Sequence, residues 1–183
     1  ILPFKSILNS TGQRLMVSEL AASLGVSRSP VREAIIALSR EKLVVKSRTE
    51  GWLVSELSIE DIFELSELRE LIEVQAGKEG CLKCSTEILD EMELVIDDLA
   101  RITDIEEHIE RNWRVHEIIV LSCDKKKFYE VFEWIMRNLR WSGYIIMEDL
   151  LGRREQSALE HREILRGFKM KNQEHVESAI KYH

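Results

Sequence analysis

Only two prolines and eight glycines interrupt 183 residues. So few chain breakers leave little room for the turns of a sandwich or barrel, and they leave long stretches free to run as helix. The apolar residues after position 58 recur at helical spacing. Ile62, Leu65, Leu68, Ile72 and Ala76 form a first stripe, opened by Ser58-x-x-Asp61, which has the pattern of a capping box. Ile88, Met92, Val95, Ile96 and Leu99 form a second. A third starts at Asp104-x-x-Glu107 and passes through Ile109, Trp113, His116, Ile119 and Val120. Phe128, Val131, Phe132, Ile135 and Leu139 make a fourth that extends towards Tyr144. Leu159, Ile164, Leu165 and Phe168 make a fifth, and Val176, Ala179 and Ile180 a sixth. Residues 58–183 are therefore expected to form an all-α bundle of about six helices.

Residues 1–57 have a different grammar. Leu15-Met-Val-Ser-Glu-Leu-Ala-Ala-Ser-Leu24 reads as a helix with Leu20, Ala21 and Leu24 on one face, ended by Gly25. After Val26, Ser27-Arg-Ser-Pro30 starts a second helix. Ser27 or Ser29 is its N-cap, and Pro30 lies in the first turn, where a missing N–H costs little. Val31, Ala34, Ile35 and Leu38 are its buried face. Leu43–Ser47 and Trp52–Val54 then flank the polar turn Arg48-Thr-Glu-Gly51, which predicts a hairpin. Helix, turn, helix and hairpin make a winged helix-turn-helix, so the whole chain is expected to be mainly α with one small β-hairpin wing.

The charge is divided the same way. Residues 1–57 hold eight Lys/Arg and five Asp/Glu, a balance of +3, whereas residues 58–183 hold eighteen and twenty-eight, a balance of −10, which together give the net −7. Only the first piece is suited to meet a polyanion. Arg28 and Arg32 lie four apart and project from one side of the second helix, in the turns that enter a major groove. An arginine fork pairs with O6 and N7 of guanine or clamps a phosphate. Ser27 and Ser29 place hydroxyls beside the free N–H groups of the helix start, which favour phosphate. Lys46, Arg48 and Gly51 are the wing candidates.

These residues carry a resemblance. Leu24-Gly-Val-Ser-Arg-Ser-Pro-Val-Arg-Glu-Ala34 resembles the recognition-helix signature of the GntR family of bacterial transcription regulators. The resemblance implies a DNA-binding domain over 1–57 that reads double-stranded operator DNA through Arg28 and Arg32, with Gly51 of the wing near the minor groove. Relatives usually have a full helix ahead of this region, and only Ile1 to Leu8 is available for it here, so that helix is expected to be truncated.

The histidines of the second piece add a candidate ligand site. His116 shares a stripe with Trp113 and Val120, His161 precedes Leu165 by four, and His183 follows Val176 by seven. Three histidines on three apolar-faced helices can converge in a bundle core, where imidazoles hold a divalent metal, or they can be ordinary hydrogen-bonded residues. His108 and His175 lack this stripe and read as surface residues. Here too the chain resembles a family. Leu68-Arg-Glu-Leu-Ile-Glu73, Asn112-Trp-Arg-Val-His116, Glu160-His-Arg-Glu-Ile-Leu165 and His183 are similar to the helical effector-binding domain, called FCD, of the FadR subfamily of GntR regulators. That resemblance implies a zinc, nickel or manganese ion held by His116, His161 and His183, with a small carboxylate effector above it. It also implies a homodimer on a two-fold-related operator, and a repressor that the effector releases. Asn112 stands where many members carry Asp, so its amide oxygen brings no charge to the ion. A site with three neutral imidazoles and an amide should hold metal less tightly and attract an anion more. Arg69 is a candidate partner for the effector's charge or, equally, for Glu73 four residues on.

The remaining features narrow the function classes. Apolar runs reach four or five residues, far from the ~20 of a membrane span. No basic–apolar–small leader is visible, so a cytoplasmic protein is expected. Cys81 and Cys84 form C-x-x-C at an expected helix end and Cys123 stands apart; no second pair or nearby strand suggests zinc or redox use. The rival readings are a metal sensor in which the ion is the signal, a metal-dependent hydrolase with an attached winged helix, and an interaction module that keeps the winged helix for packing alone. The hydrolase lacks an obvious general base, and exposed arginines in the second helix would be idle in the module.

Overall fold

A computed structural model of the protein describes residues 12–99, 101–149 and 154–183, with the side chains at 105, 106, 141–149 and 154 outside that description. The expected truncated helix over Ile1–Leu8 also lies outside the described residues. The chain divides into two compact units, Ile1–Asp61 and Ile62–His183.

In the first unit, strand β1 (Arg14–Leu15) leads into helices α1 (Val17–Leu24) and α2 (Arg28–Arg40) and strands β2 (Val44–Ser47) and β3 (Gly51–Val54). Gly25 ends α1 at φ 66°, where a side chain would be strained, and two bonds close the end: Gly25 N–H donates to Ala22 O and Val26 N–H to Ala21 O. That is a Schellman motif, and it fixes the exit angle that sends the chain into α2. Ser27 is the N-cap of α2, with Ser29 and Pro30 inside the first turn. At the other end Lys42, at φ 62°, repeats the motif without a glycine; Leu43 N–H donates to Leu38 O. The wing pairs Val44 with Val54 and Ser47 with Gly51 around a three-residue loop. Gly51 takes φ 86°, the left-handed position such loops need. Leu20, Ala21, Val31, Ile35, Val44 and Val54 form the buried core. The segment read as starting α1 at Leu15 is corrected here. Arg14 and Leu15 pair with Leu53 and Trp52 as a third antiparallel strand, and the helix starts at Val17. Leu15 is still buried, but from the sheet, where a two-residue strand is too short to show a period.

The second unit is built from α3 (Ile59–Lys83, which begins just before the unit), α4 (Thr86–Leu99), α5 (Ile105–Leu121), α6 (Lys126–Asp149), α7 (Arg154–Lys169) and α8 (Gln173–Tyr182). The box at the head of α3 is reciprocal. Ser58 N–H donates to Asp61 Oδ2 at 2.9 Å, and Asp61 N–H donates to Ser58 Oγ at 3.0 Å. Asp104 caps α5 by accepting from Glu107 N–H, and Asn172 caps α8 by accepting from His175 N–H. Helix α4 packs on α5 and α7, α7 on α8, and α5 on α6. Met92, Ile96, Ile119, Ile164, Phe168 and Val176 are among the residues of the main core.

Three stripe residues belong outside the core. Leu68, Val131 and Leu159 are exposed, because each sits at the edge of its helix's apolar arc, where spacing alone does not tell inside from outside. Conversely His108, read as a surface residue, is buried, and His175 is half-buried beside Glu163. A hydrogen-bonded histidine tolerates burial that a charged side chain does not. The aromatic stretch of α6 faces its own core: Phe132 is buried, Phe128 packs against the same cluster, and Trp134 is half-buried.

Glycines set how closely α3 approaches its neighbours. A Cβ on Gly80 would lie 1.8 Å from Ser122 Oγ and 3.1 Å from the Ser122 carbonyl carbon. The backbone cannot step aside as a flexible side chain can, so Gly80→Ala should lower the unfolding free energy by about 1–3 kcal/mol. The expected readout is a lower urea midpoint with unchanged slope. Glu177 on α8 pairs with Lys181 at 2.6 Å and with Lys78 of α3. These two bonds, Lys181 first, hold its carboxyl at about 2 against an ordinary 4.5. A depressed carboxyl stabilises the fold above its unfolded value, and that contribution is lost as pH falls through the folded value. Thermal melts of Glu177→Gln should therefore lose less stability than the parent between pH 4.5 and pH 2.

Candidate functional site

The first candidate surface is α2 with the wing. Arg28 and Arg32 are exposed on the first two turns of α2, and Ser27 and Ser29 are exposed beside them. The Ser27 side chain makes no cap hydrogen bond, so its hydroxyl and the first N–H groups of α2 remain available at the helix start. Lys46, Arg48 and Gly51 are exposed along the wing. Lys46 Nζ lies 5.8 Å from the centroid of the Trp52 ring, which steadies a cation at the hairpin's centre. Ser47 Oγ accepts from Thr49 N–H and Glu50 N–H and so stiffens the wing turn.

The second lies inside the helical unit. His116 is on α5, His161 on α7 and His183 just past α8, and one ring nitrogen from each falls within 4.8 Å of the others. His161 and His116 are 0% and 1% exposed. Ring centroids are 5.2 Å apart for His116 and His161, 5.1 Å for His116 and His183, and 4.3 Å for His161 and His183. Burial pushes the His116 and His161 imidazoles well below their ordinary range, and neighbouring positive groups push the same way. Burial also lowers His183, against the pull of its Glu160 hydrogen bond. Neutral imidazole is the form that ligates.

Two buried carboxyls orient two of the rings. His116 Nδ1 lies 2.9 Å from Glu73 Oε2, and His183 Nδ1 lies 2.7 Å from Glu160 Oε2. Donation from each Nδ1–H turns the lone pair of each Nε2 inward, and those two atoms are 3.3 Å apart. Two lone pairs facing each other across that gap need a cation or a proton between them. Adjacent nitrogens on one zinc ion, at Zn–N of ~2.0–2.1 Å, are spaced by ~3.0–3.4 Å. Among the described residues His161 has no hydrogen-bond partner on either ring nitrogen, although it is wholly buried. A buried orphan of this kind is costly unless a ligand satisfies it. The donor set thus fits a borderline divalent ion such as zinc or nickel better than the harder manganese.

Asn112 lies one turn before His116 and its Oδ1 accepts from Ser157 Oγ at 3.1 Å. That uses one of the amide oxygen's two lone pairs. Arg69 stands on the α3 side, with Nε 3.4 Å from Glu73 Oε1, and neither atom makes a hydrogen bond of good geometry. Of the two alternatives read from the sequence for Arg69, the structure shows the ion pair with Glu73, next to the histidines. Burial raises the Glu73 carboxyl while Arg69 opposes. Sequence reasoning missed the hydrogen-bonding roles of Glu73 and Glu160. Glu160 stands next to His161 and four after Gln156, which donates to its Oε1, but nothing in that pattern separates it from a solvated glutamate.

Comparison with known proteins gives the class. Residues 7–54 match the bacterial regulatory proteins of the gntR family, and residues 64–183 match the FCD domain. The chain belongs to the GntR family of transcription regulators and carries an FCD domain, so it is a DNA-binding regulator and not an enzyme. The hydrolase reading is set aside. Among solved structures it is similar to E. coli McbR/YncC, at 21% identity and TM-score 0.82, covering 94% of this chain and 84% of that one. A putative GntR transcriptional regulator from Rhodococcus sp. RHA1 is 21% identical with TM-score 0.80, over 94% of this chain and 83% of that one. A GntR family member from Pseudomonas syringae pv. tomato str. DC3000 is 27% identical with TM-score 0.62, over 95% and 73%. No curated protein sequence matches the chain. No helix among the described residues is long and apolar enough to cross a membrane.

Proposed function

We propose that the protein is a metal-dependent, effector-responsive repressor of the FadR subfamily that acts as a homodimer on operator DNA in the bacterial cytoplasm. The observation that carries the metal half is the convergence of His116, His161 and His183 with the ring nitrogens of His161 unpartnered. In this reading the three imidazoles hold a divalent ion, with the Asn112 oxygen as a weak fourth ligand. The ion supplies a positive, exchangeable position for an oxygen of a small carboxylate. Arg69 supplies charge beside it.

The DNA half rests on Ser27, Arg28, Ser29 and Arg32 of α2 and Lys46, Arg48 and Gly51 of the wing. One recognition helix reads only a few base pairs, so two symmetry-related copies double the contact. Effector binding that changes operator affinity ~5–150-fold requires a coupling of only ~1–3 kcal/mol between the sites.

Operator affinity tests the DNA half, with a sequence recovered by in vitro selection. Arg28→Ala and Arg32→Ala should each cost ~1–3 kcal/mol if the lost contact is a bidentate pair with guanine. Lys46→Ala and Arg48→Ala should weaken all sequences evenly and flatten the salt dependence. Unchanged affinity in both recognition-helix variants would remove the assignment. For the metal half, His161→Ala should abolish metal binding and the effector response, yet leave operator binding by the free protein intact. Asn112→Asp should tighten metal by adding a charge to the ligand set. Metal analysis that finds no ion in protein purified without chelator, with none recovered by Asn112→Asp on adding zinc, nickel or manganese, would make the histidines core residues. Release from DNA by metal alone would favour the metal-sensor reading.

A further inference from the structure

The ligand set proposed above is formally neutral: three imidazoles and an amide. A divalent ion sealed among neutral donors in a bundle core would carry an uncompensated double charge, which a low-dielectric interior does not tolerate. Without an effector on the ion, compensation comes from groups that touch the ligands. Among the described residues two such groups are out of water: Glu73 and Glu160 are 2% and 5% exposed. Each accepts at a ring Nδ1, at 2.9 Å on His116 and 2.7 Å on His183. The remaining oxygen of Glu73 lies 3.4 Å from Arg69 Nε, and the remaining oxygen of Glu160 accepts from Gln156 at 3.0 Å.

We infer that Glu73 and Glu160 are positioning residues of the metal site, which lock His116 and His183 in the Nδ1–H form and supply from outside the ligand set the negative charge that Asn112 does not. The inference rests on the metal reading of the preceding subsection and assigns roles to residues which that reading leaves out. A carboxylate on the far nitrogen does two separable things. It fixes the ring so that Nε2 faces the ion, and it makes the ring a better donor. His161 has no such partner among the described residues, so its ring is held by packing alone and two of the three ligands carry the charge compensation.

Replacement by glutamine separates charge from hydrogen bonding, since an amide oxygen still accepts from Nδ1–H. The measurement is zinc affinity of the full chain by competition with a chromogenic chelator, read beside the melting temperature of the metal-free protein. Glu73→Gln and Glu160→Gln should each weaken zinc by ~10–100-fold, the range found for outer-shell partners of metal-bound histidine. Glu160→Asp should recover part of the loss. The visible spectrum of the cobalt-loaded protein should shift in both glutamine variants, because ring basicity changes at the ion. A carboxyl with only a structural role would lower the melting temperature of the metal-free protein and leave zinc affinity and the cobalt spectrum alone. That result in both variants overturns the inference while the metal reading stands. Failure of the parent protein to bind zinc or cobalt at all overturns both. A glutamine variant that does not fold is replaced by Glu73→Asp or Glu160→Asp at the same position, which keeps the charge but draws the carboxyl back from Nδ1; it should weaken zinc measurably, and unchanged affinity would count against that residue.

Discussion

A buried imidazole must find a partner for each ring nitrogen, and the core of the helical unit is arranged around that requirement. The Glu73–His116 contact ties α3 to α5, and the Glu160–His183 contact ties α7 to the end of α8. Between these two contacts stands His161, which no group among the described residues satisfies. Four helices thus meet at polar atoms that an apolar core would otherwise exclude. Purely apolar residues of similar volume would give a simpler and equally stable interior.

Close approach makes that meeting possible. Gly77 and Gly80 on α3 leave room for Ile180 and Val176 of α8 and for Ser122 after α5. Gly167 does the same for α7 against Val176. Helices that approach without Cβ atoms between them bring side chains from their flanks into register. The α7–α8 corner is closed by Lys171 at φ 52°, with Asn172 N–H donating to Gly167 O, and α8 then runs back so that His183 reaches His116. Backbone geometry and small residues, more than any attraction among the imidazoles, set the distances within the cluster.

The sequence showed this site unevenly, and the reasons are physical. His116 was legible because it lies on a stripe with Trp113 and Val120, and a polar residue on an apolar face calls for an explanation. His161 and His183 were legible only in combination with it. Glu73 and Glu160 were not, because a glutamate on a helix normally faces water and the acidic unit holds many of them. His108 shows the limit from the other side: it sits near the start of α5, with no stripe to mark it, and is nevertheless buried. In the first unit Gly25 and Gly51 marked left-handed turns and Pro30 marked a helix start, so the winged helix was plain. The strand at Arg14–Leu15 was hidden, since its pairing with Leu53 and Trp52 depends on chain far along the sequence.

The division of charge gives the two sites opposite problems. A DNA duplex is attracted by the +3 balance of residues 1–57 and repelled by the −10 balance of the rest. Arg28, Arg32, Lys46 and Arg48 are exposed, and on the proposed reading they would set which face meets the phosphates. A small acid entering the helical unit meets the reverse situation, because the surface it must cross is acidic. At a range beyond the ~8–10 Å Debye length that repulsion is largely screened, so what matters is the local field where the acid comes to rest. Near the histidines that field is set by few groups: Arg69, the two buried carboxyls, and whatever ion the imidazoles hold. Without an ion, two carboxyls outnumber one guanidinium, and an anion is not welcome. With a divalent ion the balance turns positive, and a carboxylate gains a counter-charge in a place where water does not screen it. On the proposed reading, an ion among the imidazoles would give a mostly negative unit a place to receive an acid.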